Sequence, residues 1–290
     1  MSCTTSSYSF ANGLHGAVQA PILKEMQLVF GQVRKPIREL RSSLRKLPDD
    51  PPQKAVHNLR TRSRRVEAIT SALASCSSEQ AQKVLRSIKS LRKAAGNVRD
   101  MDVLIAKVRS LHRQCPDPAF DRLLAHIQEA RQESAGQLVK EFSSKRKKVC
   151  HRLDRFSLYV KEHFGKCQSE AHKANELFDE LCHWPALTAG NLHDFRIRLK
   201  ELRYMLQLTR NANMPFMSAL ERAKTHIGVW HDWEELHRIA AEVLDASRER
   251  NAIAMIANRE SENLRTAMRA ARSLRTRFMR AGDSFQATEP

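Results

Sequence analysis

Residues 56–66 read VHNLRTRSRRV and residues 192–204 read LHDFRIRLKELRY, so the spacing His-x-x-Arg-x-x-x-(Arg/Lys) occurs twice. The first copy is His57, Arg60 and Arg64; the second is His193, Arg196 and Lys200, extended at the tenth offset by Arg203. At about 100° per residue, offsets of 0, 3, 7 and 10 fall near 0°, 300°, 340° and 280°, so on a helix these side chains share one narrow face. That face is cationic where a packing helix would be apolar.

Working outward from each stripe, the order of segments repeats. In the first half a helix is expected from about Pro21 to Leu47, with Leu28, Val33, Ile37, Leu40, Leu44 and Leu47 as its apolar stripe. LPDDPPQ breaks the chain, because tandem prolines cannot continue a helix. The first motif helix follows, about Lys54 to Ala74, then a third, about Glu79 to Ala95, which meets GNVRDMDVL at Gly96 with a C-terminal glycine or a kink. A further helix continues to about Arg113. CPDP at 115–118 opens another, with Asp117 as cap and Pro118 in the first turn, running to about Gly165 with a possible interruption near SSKRKK.

A shorter helix, about Glu170 to Cys182, precedes the second motif helix. MPFMSALERAKTHIG and GVWHDWEEL then stand where the third helix and GNVRDMDVL stood, and a last helix runs from about Arg250 to Arg280. Gly96 and Gly228 mark corresponding points. The expected organisation is a loose leader at 1–20, a helical region at 21–280 divided into halves of about 21–150 and 151–280, and a polar tail at 281–290. Two four-helix bundles related by duplication would account for it, with their boundary between 145 and 165.

Composition agrees with an all-α fold: 9 Gly, 10 Pro and 6% aromatic residues in 290, with apolar positions spaced by three and four. Fifty Lys plus Arg against 32 Asp plus Glu leave a net charge of +18. Such a surplus points to a polyanionic partner: nucleic acid, inorganic polyphosphate or an anionic membrane. No apolar run is long enough to span a bilayer, and the first twenty residues lack the pattern of a secretory signal. Cysteines at 3, 76, 115, 150, 167 and 182 show no C-x-x-C pairing, so reduced thiols in a cytoplasmic setting are expected.

At the two His-x-x-Arg-x-x-x-(Arg/Lys) helices and the two Gly-x-x-(Arg/His)-Asp-x-(Asp/Glu) segments, the chain resembles the CHAD domain, the conserved histidine α-helical domain. The resemblance covers about Leu28 to Arg277. It implies two pseudo-symmetric helical bundles that bind inorganic polyphosphate in a basic cleft or pore, with histidines, Lys and Arg facing it. It implies a binding module rather than an enzyme, found on polyphosphate granules; granule-associated proteins are further partners to expect, and neither a cofactor nor a membrane role is expected. Some members are fused to a triphosphate-tunnel enzyme domain; this chain looks like a stand-alone member. Two positions depart from the pattern: Glu67 stands at the tenth offset of the first stripe, and His231 replaces the Arg seen at Arg99.

A phosphate polymer offers fixed negative charge and no base edges, so charge spread over a surface suffices to bind it. Arg60, Arg64, Arg196, Lys200 and Arg203 are the first-rank contacts expected. Arg41 and Arg45, Lys89 and Lys93, Lys224, and Arg265 and Arg269 are secondary candidates, each equally readable as a solvated helix face. His57 and His193 fit a phosphate hydrogen bond, a packed core histidine, or metal or phosphoacceptor chemistry. Arg99, Asp100 and Asp102, with His231, Asp232 and Glu234, fit helix capping or the holding of a neighbouring Arg. No four-ligand zinc pattern assembles from His163 and Cys167 or from the Cys150-His151 and Cys182-His183 pairs. Trp184, Trp230 and Trp233 read as packing residues. Walker, G-x-G-x-x-G and H-E-x-x-H motifs are absent. With inorganic polyphosphate as the partner, nucleic acid is expected only as a weaker competitor; the rival readings are a nucleic-acid-binding helical protein and a histidine-dependent phosphate-transferring enzyme.

Overall fold

Proline and polar breaks divide the chain into helices α1 (Phe30–Arg45), α2 (Gln53–Ala72), α3 (Glu79–Gln114), α4 (Pro118–His163), α5 (His172–Cys182), α6 (Ala189–Leu206), α7 (Met214–Val243) and α8 (Arg250–Phe278). The structure, a computed structural model, describes residues 27–45, 47–48, 51–73, 79–167, 172–210 and 212–279. The expected leader, the polar tail and the expected helical start at Pro21 lie outside the described residues. Among the described residues there is no strand; one isolated antiparallel bridge joins Leu28 to Thr209, so the segment before α1 is tied to the turn after α6.

Helix starts follow the local chemistry. Asp117 accepts the Ala119 backbone N–H at 2.8 Å and Pro118 takes the first position of α4, as its sequence predicts. Asn213 does the same for α7, accepting the Phe216 N–H at 2.9 Å. Asn191 steadies the start of α6 by accepting the Thr188 N–H at 3.0 Å. Two expected breaks do not occur. Gly96 neither caps nor kinks a helix, because α3 runs unbroken through it, and α4 passes through SSKRKK without interruption. Lysine and arginine are good helix formers, so a basic run on a solvated face does not end a helix.

The apolar core is gathered in two clusters, and neither belongs to one half of the chain. The larger joins α1, α2, the first part of α3, the later part of α4, α5, α6, the first half of α7 and the end of α8. The smaller joins the far ends of the four long helices: Val108 and Leu111 of α3, Phe120 and Ile127 of α4, Leu236 of α7 and Ile256 of α8. The two sets of four helices thus share their core. α3 pairs most extensively with α4 and α7 with α8, while α2 crosses α6 and α3 meets α7. Trp230 and Trp233 are buried, and Trp184 packs edge-on to Phe195 at 5.5 Å, all as packing residues.

Candidate functional site

The helices that carry the stripes, α2 and α6, meet each other, and each also packs on the helix that carries a motif glycine. From α2, Arg60 reaches α3: its Nη2 lies 3.3 Å from Asp100 Oδ1, and its Nε lies 3.6 Å from where a Cβ on Gly96 would be. From α6, Arg196 reaches α7 in the same sense. Its Nε donates to the Lys224 carbonyl at 3.4 Å, and its guanidinium lies on Gly228 so closely that a Cβ there would be 2.7 Å from Nη2. Gly228 therefore sits mid-helix to admit an arginine, a use of glycine that a helix interior tolerates at about 1 kcal/mol relative to alanine, whereas the contact at Gly96 would leave room for a Cβ.

Farther along the stripes the cations converge. Burial, then the charges of Arg196, Arg64 and Arg60, push the Lys200 amine down to about 7, against the pull of Asp100. Arg196 is lowered by burial, with Arg60 and Arg64 adding to that and Asp232 and Asp100 opposing it. Arg64 is lowered by burial and by Arg92, against Glu67, which lies 3.6 Å away. Arg60 and Arg64 of α2 and Arg196 and Lys200 of α6 thus form one cationic cluster, edged by Asp100 and Asp232. Lys200 makes no hydrogen bond or ion pair among the described residues.

The histidines are not equivalent. His57 is exposed, and desolvation followed by Arg99 and Arg60 lowers its pKa. His193 is half-buried against His231, ring centroids 4.2 Å apart, with its Nδ1 buried and without a partner; burial, then His231 and Arg196, disfavour its protonated form. His231 turns its Nδ1 to Glu234 at 3.0 Å.

The acidic residues after the glycines hold cations and cap nothing, since α3 and α7 are continuous. Asp100 holds Arg60, and buried Asp102 accepts Arg131 Nε at 2.8 Å. Asp232 lies between Lys107 and Arg196, its pKa raised by burial in spite of them. Lys107 also stands 4.3 Å above the Trp233 ring.

Other predicted contacts are placed differently. Arg203 is paired with Glu221, which also accepts Lys224 Nζ at 2.6 Å, so the two cations share one carboxylate. Arg41 is bound to Asp154 at 2.7 Å on the α1–α4 seam, where it joins Arg45 and Arg146 around Cys150. Lys89 and Lys93 on α3 and Arg265 and Arg269 on α8 are exposed. Two residues beside the stripes were not expected there: Arg92, paired with Glu67 and close to Arg64, and Arg99, close to His57. Their signal was the glycine register. Arg92 and Lys224 each precede the glycine by four, and Arg99 and His231 each follow it by three.

Among the described residues no group of three or more His, Cys, Asp or Glu is arranged to hold a metal, and no helix is long and apolar enough to cross a membrane. His163 instead places Nδ1 against the Tyr159 carbonyl at 3.1 Å.

An all-α domain with two motif arginines laid over two helix glycines, and their cations gathered at a helix crossing, defines the class. The CHAD domain matches residues 31–241, and the chain belongs to that family. The crystal structure of the CHAD domain from the plant Ricinus communis is similar to it in fold, with a TM-score of 0.59 over 87% of this chain and 90% of that chain at 18% identity. No curated protein matches the chain.

Proposed function

We propose that this protein binds inorganic polyphosphate at the cationic cluster where α2 crosses α6, and that this binding places it on polyphosphate granules in the cytoplasm. The carrying observation is the convergence of Arg60, Arg64, Arg196 and Lys200, contributed by two helices far apart in sequence. Guanidinium forks can grip two oxygens of one phosphate and the lysine adds a compact charge, a mixture suited to an irregular oxyanion chain. The depressed Lys200 supports the same reading, because an amine crowded by like charge gains most when an anion arrives. The recurrence of the Arg-over-Gly arrangement is what an internal duplication would leave behind.

The nucleic-acid reading draws on the same charge. Trp230 and Trp233 are buried in the core, so they offer bases no stacking platform. Long-chain polyphosphate should displace duplex DNA from the protein at about 0.15 M salt, and its affinity should fall steeply as salt rises. Arg196→Ala/Lys200→Ala should weaken polymer binding by roughly ten- to a hundredfold and flatten the log–log salt dependence by about two, with helicity retained. Equal competition by DNA would move the assignment to nucleic acid. Phosphate release from the polymer that is lost on His57→Ala or His193→Ala would move it to an enzyme.

A further inference from the structure

A cavity of about 260 Å³ opens beside the cluster, between α2, α5 and α6. Two of its lining side chains, Arg64 and Lys200, belong to the cluster. The rest of its wall is of another kind. Ala68 of α2, Leu177 of α5 and Met205 of α6 are buried and apolar, and Tyr204 adds an aromatic ring whose phenol lies within electrostatic reach of Arg64. The other charged lining groups are already matched: Glu67 by Arg64 and Arg92, Glu201 by Arg198, and Lys173 by Glu176.

Inorganic polyphosphate has nothing to set against that wall. Every unit of the polymer is charged and hydrated, and moving one against apolar surface costs free energy without a compensating partner. A ligand that satisfies both sides of the cavity carries phosphates at one end and a flat ring at the other. The volume lies just below the usual range for small-molecule sites, about 300 to 1,000 Å³, which suits a base and its sugar with the phosphates left at the mouth. Glu67, Glu201 and Ser71 supply acceptors for sugar hydroxyls or a ring amine.

We propose that the cavity is a nucleotide site: the base of a nucleoside di- or triphosphate lies against Tyr204 and the apolar wall, and its phosphates lie on Arg64 and Lys200. The site shares two cations with the proposed polymer surface, so nucleotide and polymer exclude one another there. It stands on its own walls, whether or not the polymer binds.

Calorimetric titration of the full chain with ATP and, separately, with inorganic tripolyphosphate tests it. Tripolyphosphate carries the same number of phosphates and no less charge, so charge alone favours it. ATP should nonetheless bind at least about tenfold tighter, the scale of one stacked base. Tyr204→Leu should reduce that advantage and Ala68→Leu, which fills the cavity with an apolar group, should abolish it, both leaving tripolyphosphate affinity unchanged. Should Ala68→Leu not fold, the wild-type comparison and Tyr204→Leu still decide. Equal or weaker binding of ATP by the wild type overturns the proposal, even if long-chain polyphosphate binds. An ATP advantage in a protein that ignores long-chain polyphosphate upholds the nucleotide site and removes the polymer.

Discussion

The two stripes have the same spacing but differ in depth. Arg60 lies partly open to solvent, shares its charge with an exposed Asp100, and leaves ordinary van der Waals room above Gly96. Arg196 is pressed onto Gly228, donates to the α7 backbone, and stands beside a half-buried histidine pair. The tenth position, where Glu67 faces Arg203 in the register, suggests a weaker first stripe and a stronger second. That is not where they differ most, since Glu67 is paired with Arg64 and Arg92, and Arg203 shares Glu221 with Lys224. What separates the copies is how tightly each arginine is seated. A repeated motif thus sets the direction of a side chain, while the neighbouring helix sets its exposure.

A pair of single substitutions should break this comparison most sharply. In Gly228→Ala the new Cβ would stand 2.7 Å from Arg196 Nη2 and 3.0 Å from Nε, so the guanidinium must leave its seat. The obstacle is a flexible side chain, and alanine gains up to about 1 kcal/mol of helix propensity, so the melting temperature should hold or rise. Polyphosphate affinity should fall by roughly tenfold, read by titration at fixed salt. Gly96→Ala meets only an ordinary contact at 3.6 Å and should leave affinity unchanged while raising stability by a similar increment. Equal binding by both variants would show that Arg196 does not touch the polymer.

This asymmetry also marks what the sequence could and could not convey. Helix order, the Asp117–Pro118 start and the cationic faces were legible because they follow from local periodicity and capping. Gly96 reads locally as a cap or kink yet lies inside an unbroken α3, and the role of Gly228 is not legible, since a glycine admitting a side chain from another helix has no local signature. Arg92 was passed over in favour of Lys89 and Lys93 because only the glycine register, and not charge, separates them. The shared core could not be read at all: the apolar faces of α3, α4, α7 and α8 look alike whether they pack within a half or across halves.

The histidines and Lys200 divide the pH response between them. Lys200 titrates at about 7 in the free protein, and a bound polyanion favours its charged form, so its pKa rises on binding. Binding then takes up a proton, and affinity should climb severalfold as pH falls from about 8.5 to 6.5. Both histidines are lowered from 6.5, so in the free protein they take up charge at lower pH than Lys200, and their contribution extends the rise on its acidic side. Lys200→Arg, charged throughout, should flatten the upper limb. His57→Ala/His193→Ala should keep it and lose the acidic one. The reverse pattern would make the histidines the neutral-pH sensors. The fold shows the opposite sign: with Lys200 lowered from 10.5, the unfolded chain binds this proton first, so this group's contribution to stability declines as pH falls from 10.5 to about 7. Polymer should therefore raise the melting temperature more at pH 6.5 than at pH 8.5.

The smallest expected effects come from the carboxylates that edge the cluster, and they bear on depth directly. Asp100 has more than half of its side chain exposed, so water and salt already screen it. Asp232 is more enclosed, between Arg196 and Lys107, and its negative charge stands where phosphate oxygens would compete for Arg196. Asp232→Asn should therefore raise polyphosphate affinity by about two- to fivefold at low salt, and Asp100→Asn by less. If the order reverses, the exposed first stripe carries more of the contact than its looser seat implies. If both variants bind more weakly, the carboxylates serve to aim their arginines, and the charge they cancel matters less than the geometry they fix.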